Sequence, residues 1–176
     1  MRAVITGAAS GIGLAVARRL APGPLLLVDV SARVEEVAQE LGAHALVADL
    51  SRPDAGELVA AEARERLGGV DALVSNAGIA QATLLLELSV DGWERTFNVN
   101  TRATWLLAKA LHPLLADGGG AIVATASIAS VEPAPPMGAY AASKAALAML
   151  VRQLAHEWGP DGIRCNCVSP GSPTRA

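Results

Sequence analysis

Aromatic residues make up only 3% of this 176-residue chain, with a single tyrosine and a single phenylalanine; there are two cysteines and three histidines. Each scarcity narrows the field. Cys165 and Cys167 are the only cysteines, and two thiols without further ligands do not make a zinc site. Two residues apart on a strand they share a face, which suits packing in a core. No residue is assigned to a metal. The net charge of −3 leaves no basic footprint for nucleic acid. A basic segment followed by a short apolar one is missing from the start, and no apolar stretch reaches membrane length. The expectation is therefore a cytoplasmic chain without a membrane segment. Internal repeats, linkers and low-complexity tails are also missing, so residues 1–176 read as a single domain. His44, His112 and His156 are scattered and read as helix-surface or loop residues.

What the chain does have is apolar content, 52% hydrophobic against 18% charged, enough for one domain with a real core. Short apolar runs alternate with helical patterns. Ala3–Thr6, Leu25–Asp29, Ala45–Val47, Ala72–Ser75, Ala121–Ala126 and Ile163–Val168 read as strands. Leu14–Leu20, Ser31–Leu41, Asp54–Leu67, the long amphipathic run Trp93–Leu115 and Ala139–Trp158 read as helices. Gly118–Gly120 is a turn, not a phosphate loop, because no helix follows it directly. Regular alternation predicts an α/β fold, a Rossmann-type doubly wound parallel sheet ordered 3-2-1-4-5-6 with helices on both faces.

The lone tyrosine has a second distinction. Lys144, one of only two lysines, follows Tyr140 by four residues inside the strong helix-forming stretch Ala139–Leu147. Residues i and i+4 lie on one helix face, so the ammonium can sit beside the phenol. A neighbouring cation favours the ionised phenol, and a tyrosine tuned in this way can act as a general acid or base near neutral pH. Taken alone, the pair is also compatible with an ordinary surface tyrosine and lysine.

The N-terminus adds a ligand class. Gly7-Ala8-Ala9-Ser10-Gly11-Ile12-Gly13 lies between a strand and a helix. That arrangement puts a helix N-terminus under a pyrophosphate, where backbone N–H groups and the helix dipole bind the anion. The spacing departs from G-x-G-x-x-G. Asp29 ends the second strand, 22 residues after Gly7. A carboxylate there accepts from the adenosine ribose and repels a 2′-phosphate, favouring NAD over NADP. Arg33 lies near enough to keep NADP in question, and a helix cap or loop carboxylate is the other reading of Asp29.

These motifs in this order resemble the short-chain dehydrogenase/reductase family from Val4 to Gly171. Thr6-Gly7-Ala8-Ala9-Ser10-Gly11-Ile12-Gly13 looks like the family's cofactor loop. Asp49-Leu50 looks like its adenine-contacting pair, and Asn76-Ala77-Gly78 like the element that steadies the central sheet beside the cofactor. Asn100 falls at the catalytic asparagine, Ser127 at the catalytic serine, and Tyr140 and Lys144 form the Tyr-x-x-x-Lys pair. Pro170-Gly171 matches the turn approaching the nicotinamide. The resemblance implies that Tyr140 moves the hydroxyl proton, that Lys144 lowers its pKa and holds the nicotinamide ribose, that Ser127 binds the substrate oxygen, and that Asn100 holds a proton-relaying water. Without Tyr140 downstream, Ser127 reads as a polar strand end and Asn100 as a helix-kinking amide.

The implied activity is NAD-dependent interconversion of a secondary alcohol and a ketone, with Tyr140 as acid/base. By the same resemblance Ile128–Val131 and Pro133–Met137, mostly apolar and small, would border the site and suit a hydrophobic or cyclic substrate. Arg164–Ser172 is similar to the same stretch in members that oxidise cyclic dihydrodiols. The runs Arg102–Leu115 and Ala141–Trp158 resemble the family's two pairing helices and imply at least a homodimer. Family members usually continue past Pro-Gly with a lid, a helix and a seventh strand, whereas this chain stops at Ala176, with Thr174 near the usual carboxamide-contacting threonine. The expectation is a missing seventh strand and an apolar sheet edge at Ile163–Val168. The alternative function is a truncated, catalytically impaired NAD-binding or assembly protein.

Overall fold

The computed structural model describes residues 1–133 and 135–171; the expectation for Thr174 and the last residue of the Arg164–Ser172 comparison lie outside the described residues. Six strands form one sheet: β1 (Ala3–Thr6), β2 (Leu25–Asp29), β3 (His44–Val47), β4 (Ala72–Ser75), β5 (Ala121–Thr125) and β6 (Arg164–Val168). All neighbours pair in parallel, and the order β3-β2-β1-β4-β5-β6 is the one the alternating pattern predicts. Six α-helices connect them: α1 (Gly11–Leu20), α2 (Arg33–Leu41), α3 (Ala55–Leu67), α4 (Val90–Phe97), α5 (Ala103–Ala116) and α6 (Gly138–Trp158).

The period-2 alternation of strand side chains splits the core into two layers. Val4, Leu26, Val28 and Leu73 face α3, α5 and α6, where Val59, Leu107, Leu111, Leu147 and Val151 meet them. Ala3, Ile5, Leu25 and Leu27 face the other way, against Ala17, Val34, Val37 and Ala38 of α1 and α2. A strand buried on both sides has to be apolar at every position, which is why β1 and β2 read as unbroken apolar runs.

Several expected boundaries move. The first helix starts at Gly11 rather than Leu14, so the glycine loop supplies its first turn. The single run expected over Trp93–Leu115 is three pieces: α4, a π-helical turn over Asn98–Arg102, and α5. Apolar periodicity runs through both α-helices and does not register one widened turn between them. His44 opens β3 rather than lying on a helix or loop, because its backbone joins the ladder opposite Leu26. The edge at β6 is less apolar than expected. Arg164, Asn166 and Val168 are its exposed positions, while Cys165 and Cys167 turn together into the core beneath α6. Only Val168 on that exposed face is apolar, because alternation sends every second residue to the same side. Among the described residues no helix is long and apolar enough to cross a membrane.

Candidate active site

A cleft of about 450 Å³ opens at the carboxyl ends of β1, β2, β4 and β5, the end where ligands of open parallel sheets bind. One wall is the glycine loop. Gly7 has φ +66°, a value side chains rarely adopt, and a Cβ at Gly13 would lie 2.1 Å from the Gly7 carbonyl oxygen. The chain can make this tight turn only with glycine at these positions. Ser10 stands at the N-cap without a side-chain capping bond, and α1 has no acidic residue in its first turn. The N–H groups of that turn lack intrahelical acceptors and remain available to an anion.

Asp29 closes the loop from the neighbouring strand. Its Oδ2 accepts from the Ala9 N–H at 3.0 Å and its Oδ1 from the Ser31 N–H at 3.0 Å. Asp49 and Leu50 also line the cleft. The Ser51 N–H donates to Asp49 Oδ1 at 2.9 Å. This bond, followed by the Ser51 hydroxyl and the charges of Arg95 and Arg52, holds the Asp49 carboxyl below the usual carboxylate range.

At the far end, Tyr140 and Lys144 both line the cleft from α6, with Lys144 Nζ 5.9 Å from the Tyr140 ring centroid. The lysine is 3% exposed and donates to the Thr125 carbonyl oxygen at 2.7 Å. Burial of the ammonium outweighs that one acceptor and pushes its pKa down to about 8. A Cβ placed on Gly78 would come within 3.2 Å of Lys144 Nζ and 3.3 Å of Asn100 Oδ1, so backbone, lysine and asparagine converge on one spot.

Not every expected residue faces the cleft. Asn100 is buried, and its carboxamide is spent on protein partners. Oδ1 accepts from the Ile79 N–H at 2.8 Å, and Nδ2 donates to the Ile79 carbonyl and to Ser143 Oγ, both at 2.9 Å. It occupies the π-helical turn, a distortion often found at functional sites. Thr6 is also buried and works from behind the wall, where its Oγ1 accepts from the N–H groups of Asn76 and Ala77 at 3.0 Å each. Ser127 lies just past the cleft wall at Ala126, its Oγ accepting from the Ala129 N–H at 3.1 Å. Pro170 reaches the same turn, its carbonyl accepting from the Ile128 N–H, and Gly171 follows it at the surface. Gly7, Ser10, Gly11, Ile12, Asp29, Asp49, Leu50, Asn76, Ala77 and Gly78 all line the cleft; Gly13, Pro170 and Gly171 do not. Pro133, Pro135, Pro136 and Met137 line a second, apolar cavity of about 610 Å³ on the flank of α6, with Trp93 and Leu85 opposite.

Three contributors escaped the sequence reading. Arg95 lines the cleft one helical turn before Val99, a spacing that was there to be read. Ser143, fully buried, accepts from Asn100 and donates to the Tyr140 carbonyl at 2.7 Å. Thr125 faces both Asn76 and Lys144; no motif marks it.

A family model described as short chain dehydrogenase matches residues 1–174. The chain belongs to that family. It is 36% identical to dehydrogenase/reductase SDR family member 4 of Bos taurus, over 96% of this chain and 64% of the relative. It is also 36% identical to an NAD-dependent glycerol dehydrogenase of Listeria innocua, over 96% and 68%. Among solved structures, the 3-ketoacyl-(acyl-carrier-protein) reductase of Brucella melitensis, complexed with NADH, superposes with a TM-score of 0.92 at 31% identity, covering 97% of this chain and 75% of that one. A candidate NAD(P)-dependent gluconate 5-dehydrogenase of Beutenbergia cavernae, solved with NADP at low occupancy, gives 0.90 at 38% identity, covering 97% and 71%. The chain thus spans about two-thirds of the length of these curated relatives.

Proposed function

We propose that this chain is an NAD-dependent oxidoreductase that interconverts a secondary alcohol and a ketone, with Tyr140 as the acid/base. The observation that carries the reading is the cleft itself, with an anion-ready glycine loop and Asp29 at one end and the Tyr140–Lys144 face of α6 at the other. The donor set suits a dinucleotide. Gly7–Gly13 offers backbone N–H groups to a pyrophosphate, Asp29 a carboxylate to a ribose, and Asp49-Leu50 a polar and an apolar contact to a base. The bound cofactor supplies or accepts the hydride. Tyr140 takes the hydroxyl proton during oxidation and returns it during reduction. Lys144 Nζ lies 5.9 Å from the Tyr140 ring centroid on the same helix, which holds its ammonium beside the group that moves the proton. Ser127 provides a hydroxyl for the substrate oxygen, and Asn100 holds the backbone of Ile79 against α6 through Ser143.

A carboxylate at Asp29 repels a 2′-phosphate, so NAD is preferred to NADP. The apolar lining at Pro133 and Pro135–Met137 supports a hydrophobic or cyclic substrate. The same reading includes assembly as at least a homodimer through α5 and α6, supported by Trp105 and Met149, which are 43% and 59% exposed on those helices. Fluorescence titration with NADH and NADPH, followed by an activity panel of secondary alcohols and ketones, tests the function. Tighter NADH binding and turnover of an apolar alcohol are expected. Tighter NADPH binding would overturn the cofactor preference, and NADH binding without turnover of any alcohol or ketone would overturn the assigned reaction.

A further inference from the structure

Thr125, the last residue of β5, carries no motif, yet it is hydrogen-bonded to both Asn76 and Lys144, two residues that line the cleft. Its hydroxyl donates to Asn76 Oδ1 at 3.0 Å, and its carbonyl accepts from Lys144 Nζ at 2.7 Å. Asn76 in turn leans on the glycine loop. Its Nδ2 donates to the Thr6 carbonyl at 3.2 Å and the Gly7 carbonyl at 3.4 Å. That nitrogen sits so close to the loop that a Cβ at Gly7 would lie 2.9 Å from it and a Cβ at Gly13 2.7 Å from it. We infer that Thr125 is a positioning residue for cofactor binding: its hydroxyl fixes the orientation of the Asn76 carboxamide, and the carboxamide fixes the glycine loop.

The physical reason is the asymmetry of an amide. A carboxamide has an acceptor end and a donor end of nearly the same shape, so either orientation fills the space. Here the loop presents two carbonyl oxygens, which only the donor end can satisfy. With that end committed, Oδ1 faces β5 and needs a donor of its own, and Thr125 Oγ1 provides it. Without the hydroxyl, Oδ1 is left in a partly buried position lacking this donor, and the incentive to hold one orientation falls. If the amide turned over, Oδ1 would face the Thr6 and Gly7 carbonyls, and the loop would have to retreat. The three strands involved, β1, β4 and β5, are consecutive in the sheet, so the chain Gly7–Asn76–Thr125–Lys144 crosses directly from the loop to α6.

This inference rests on the reading of the cleft as a nicotinamide dinucleotide site, and the experiment separates the two. NADH is titrated by fluorescence into the wild-type chain, Thr125→Val, Thr125→Ser, Asn76→Ala and the Thr125→Val/Asn76→Ala double variant, and each is melted. Valine keeps the shape and the backbone carbonyl and removes only the hydroxyl. NADH should bind about ten-fold more weakly to Thr125→Val, the effect of one unsatisfied amide oxygen. Thr125→Ser should stay within about two-fold of wild type, since it keeps the donor. The double variant should be no weaker than Asn76→Ala alone, because both changes break one linkage. As the Lys144 contact is to a backbone carbonyl, the pH dependence of NADH binding should be the same in Thr125→Val and wild type, which general loosening of the site would not preserve. Should Thr125→Val melt below the titration temperature, Thr125→Ala carries the same comparison. Wild-type affinity in a folded Thr125→Val, equal weakening by serine and valine, or additive effects in the double variant would each overturn the inference. A wild-type chain that binds neither NADH nor NADPH would instead remove the cofactor reading, and this inference with it.

Discussion

At the scale of single residues, proton transfer and charge burial are separable. Tyr140→Phe keeps the ring and removes the oxygen proposed to transfer the proton, so kcat should fall by at least about 100-fold while NADH affinity is retained. Near-normal turnover in that variant would take the acid/base role away from Tyr140. Lys144 makes a prediction about stability. Its folded pKa is depressed from 10.5 to about 8 by burial, so the folded chain gives up this proton earlier than the unfolded chain does. Between those two values the unfolded state binds more protons, and the contribution of Lys144 makes stability rise with pH across that window, by about 3 kcal/mol in all. Below the window the buried charge is carried at full cost. Burial raises the Cys165 thiol, which acts in the opposite sense, so the clean measurement is a difference. The unfolding free energy of wild type minus that of Lys144→Met, from denaturant titrations at about pH 7 and about pH 11, should move in favour of wild type by that amount. An unchanged difference would show that the lysine is not desolvated.

The element scale is where Asp29 belongs, because it joins β2, the glycine loop and the turn into α2. Its two oxygens accept from Ala9 and Ser31, so the carboxylate is a latch as well as a charge. Asp29→Ala should therefore narrow the gap between NADH and NADPH by relieving repulsion, and at the same time weaken NADH by letting the loop move. A double titration of the variant checks both. A variant that gains NADPH affinity with NADH affinity intact would show that the latch contributes nothing. The π-helical turn at Asn98–Arg102 belongs to the same scale. It swings Asn100 toward Ile79 and Ser143, and the hydrogen bonds that hold it lie between elements distant in sequence.

At the largest scale, assembly turns on what α5 and α6 leave uncovered. The apolar face of α5 toward α3 is already buried, yet Trp105 and Met149 remain exposed on α5 and α6. A homodimer through these helices would cover them. Light scattering at micromolar concentration should give at least a dimer, and Met149→Glu should shift it toward monomer. A strict monomer for the unmodified chain would refute the pairing.

Strand order, the two-faced sheet, the glycine loop opening the first helix, the place of Asp29 at the end of β2 and the shared helix of Tyr140 and Lys144 were legible in the sequence because each follows from the spacing and alternation of residue types. Period 2 identifies a strand, a four-residue step places two side chains on one helix face, and a glycine cluster between strand and helix admits few geometries. Boundaries at Gly11, Asn98 and His44 were less legible, since helix ends and ladder partners are chosen by contacts. Thr125 and Ser143 were missed for a related reason. A hydroxyl at the end of one strand gains its role only when β4 and α6 come to lie beside it, and the sequence separations of 49 between Thr125 and Asn76 and 43 between Ser143 and Asn100 leave no periodic trace. Periodicity and residue type were enough for the fold and for the candidate residues. Which of them face the cleft, and which, like Asn100 and Thr6, hold it from behind, came from the folded arrangement, because hydrogen-bond partners across a sheet are set by packing in space.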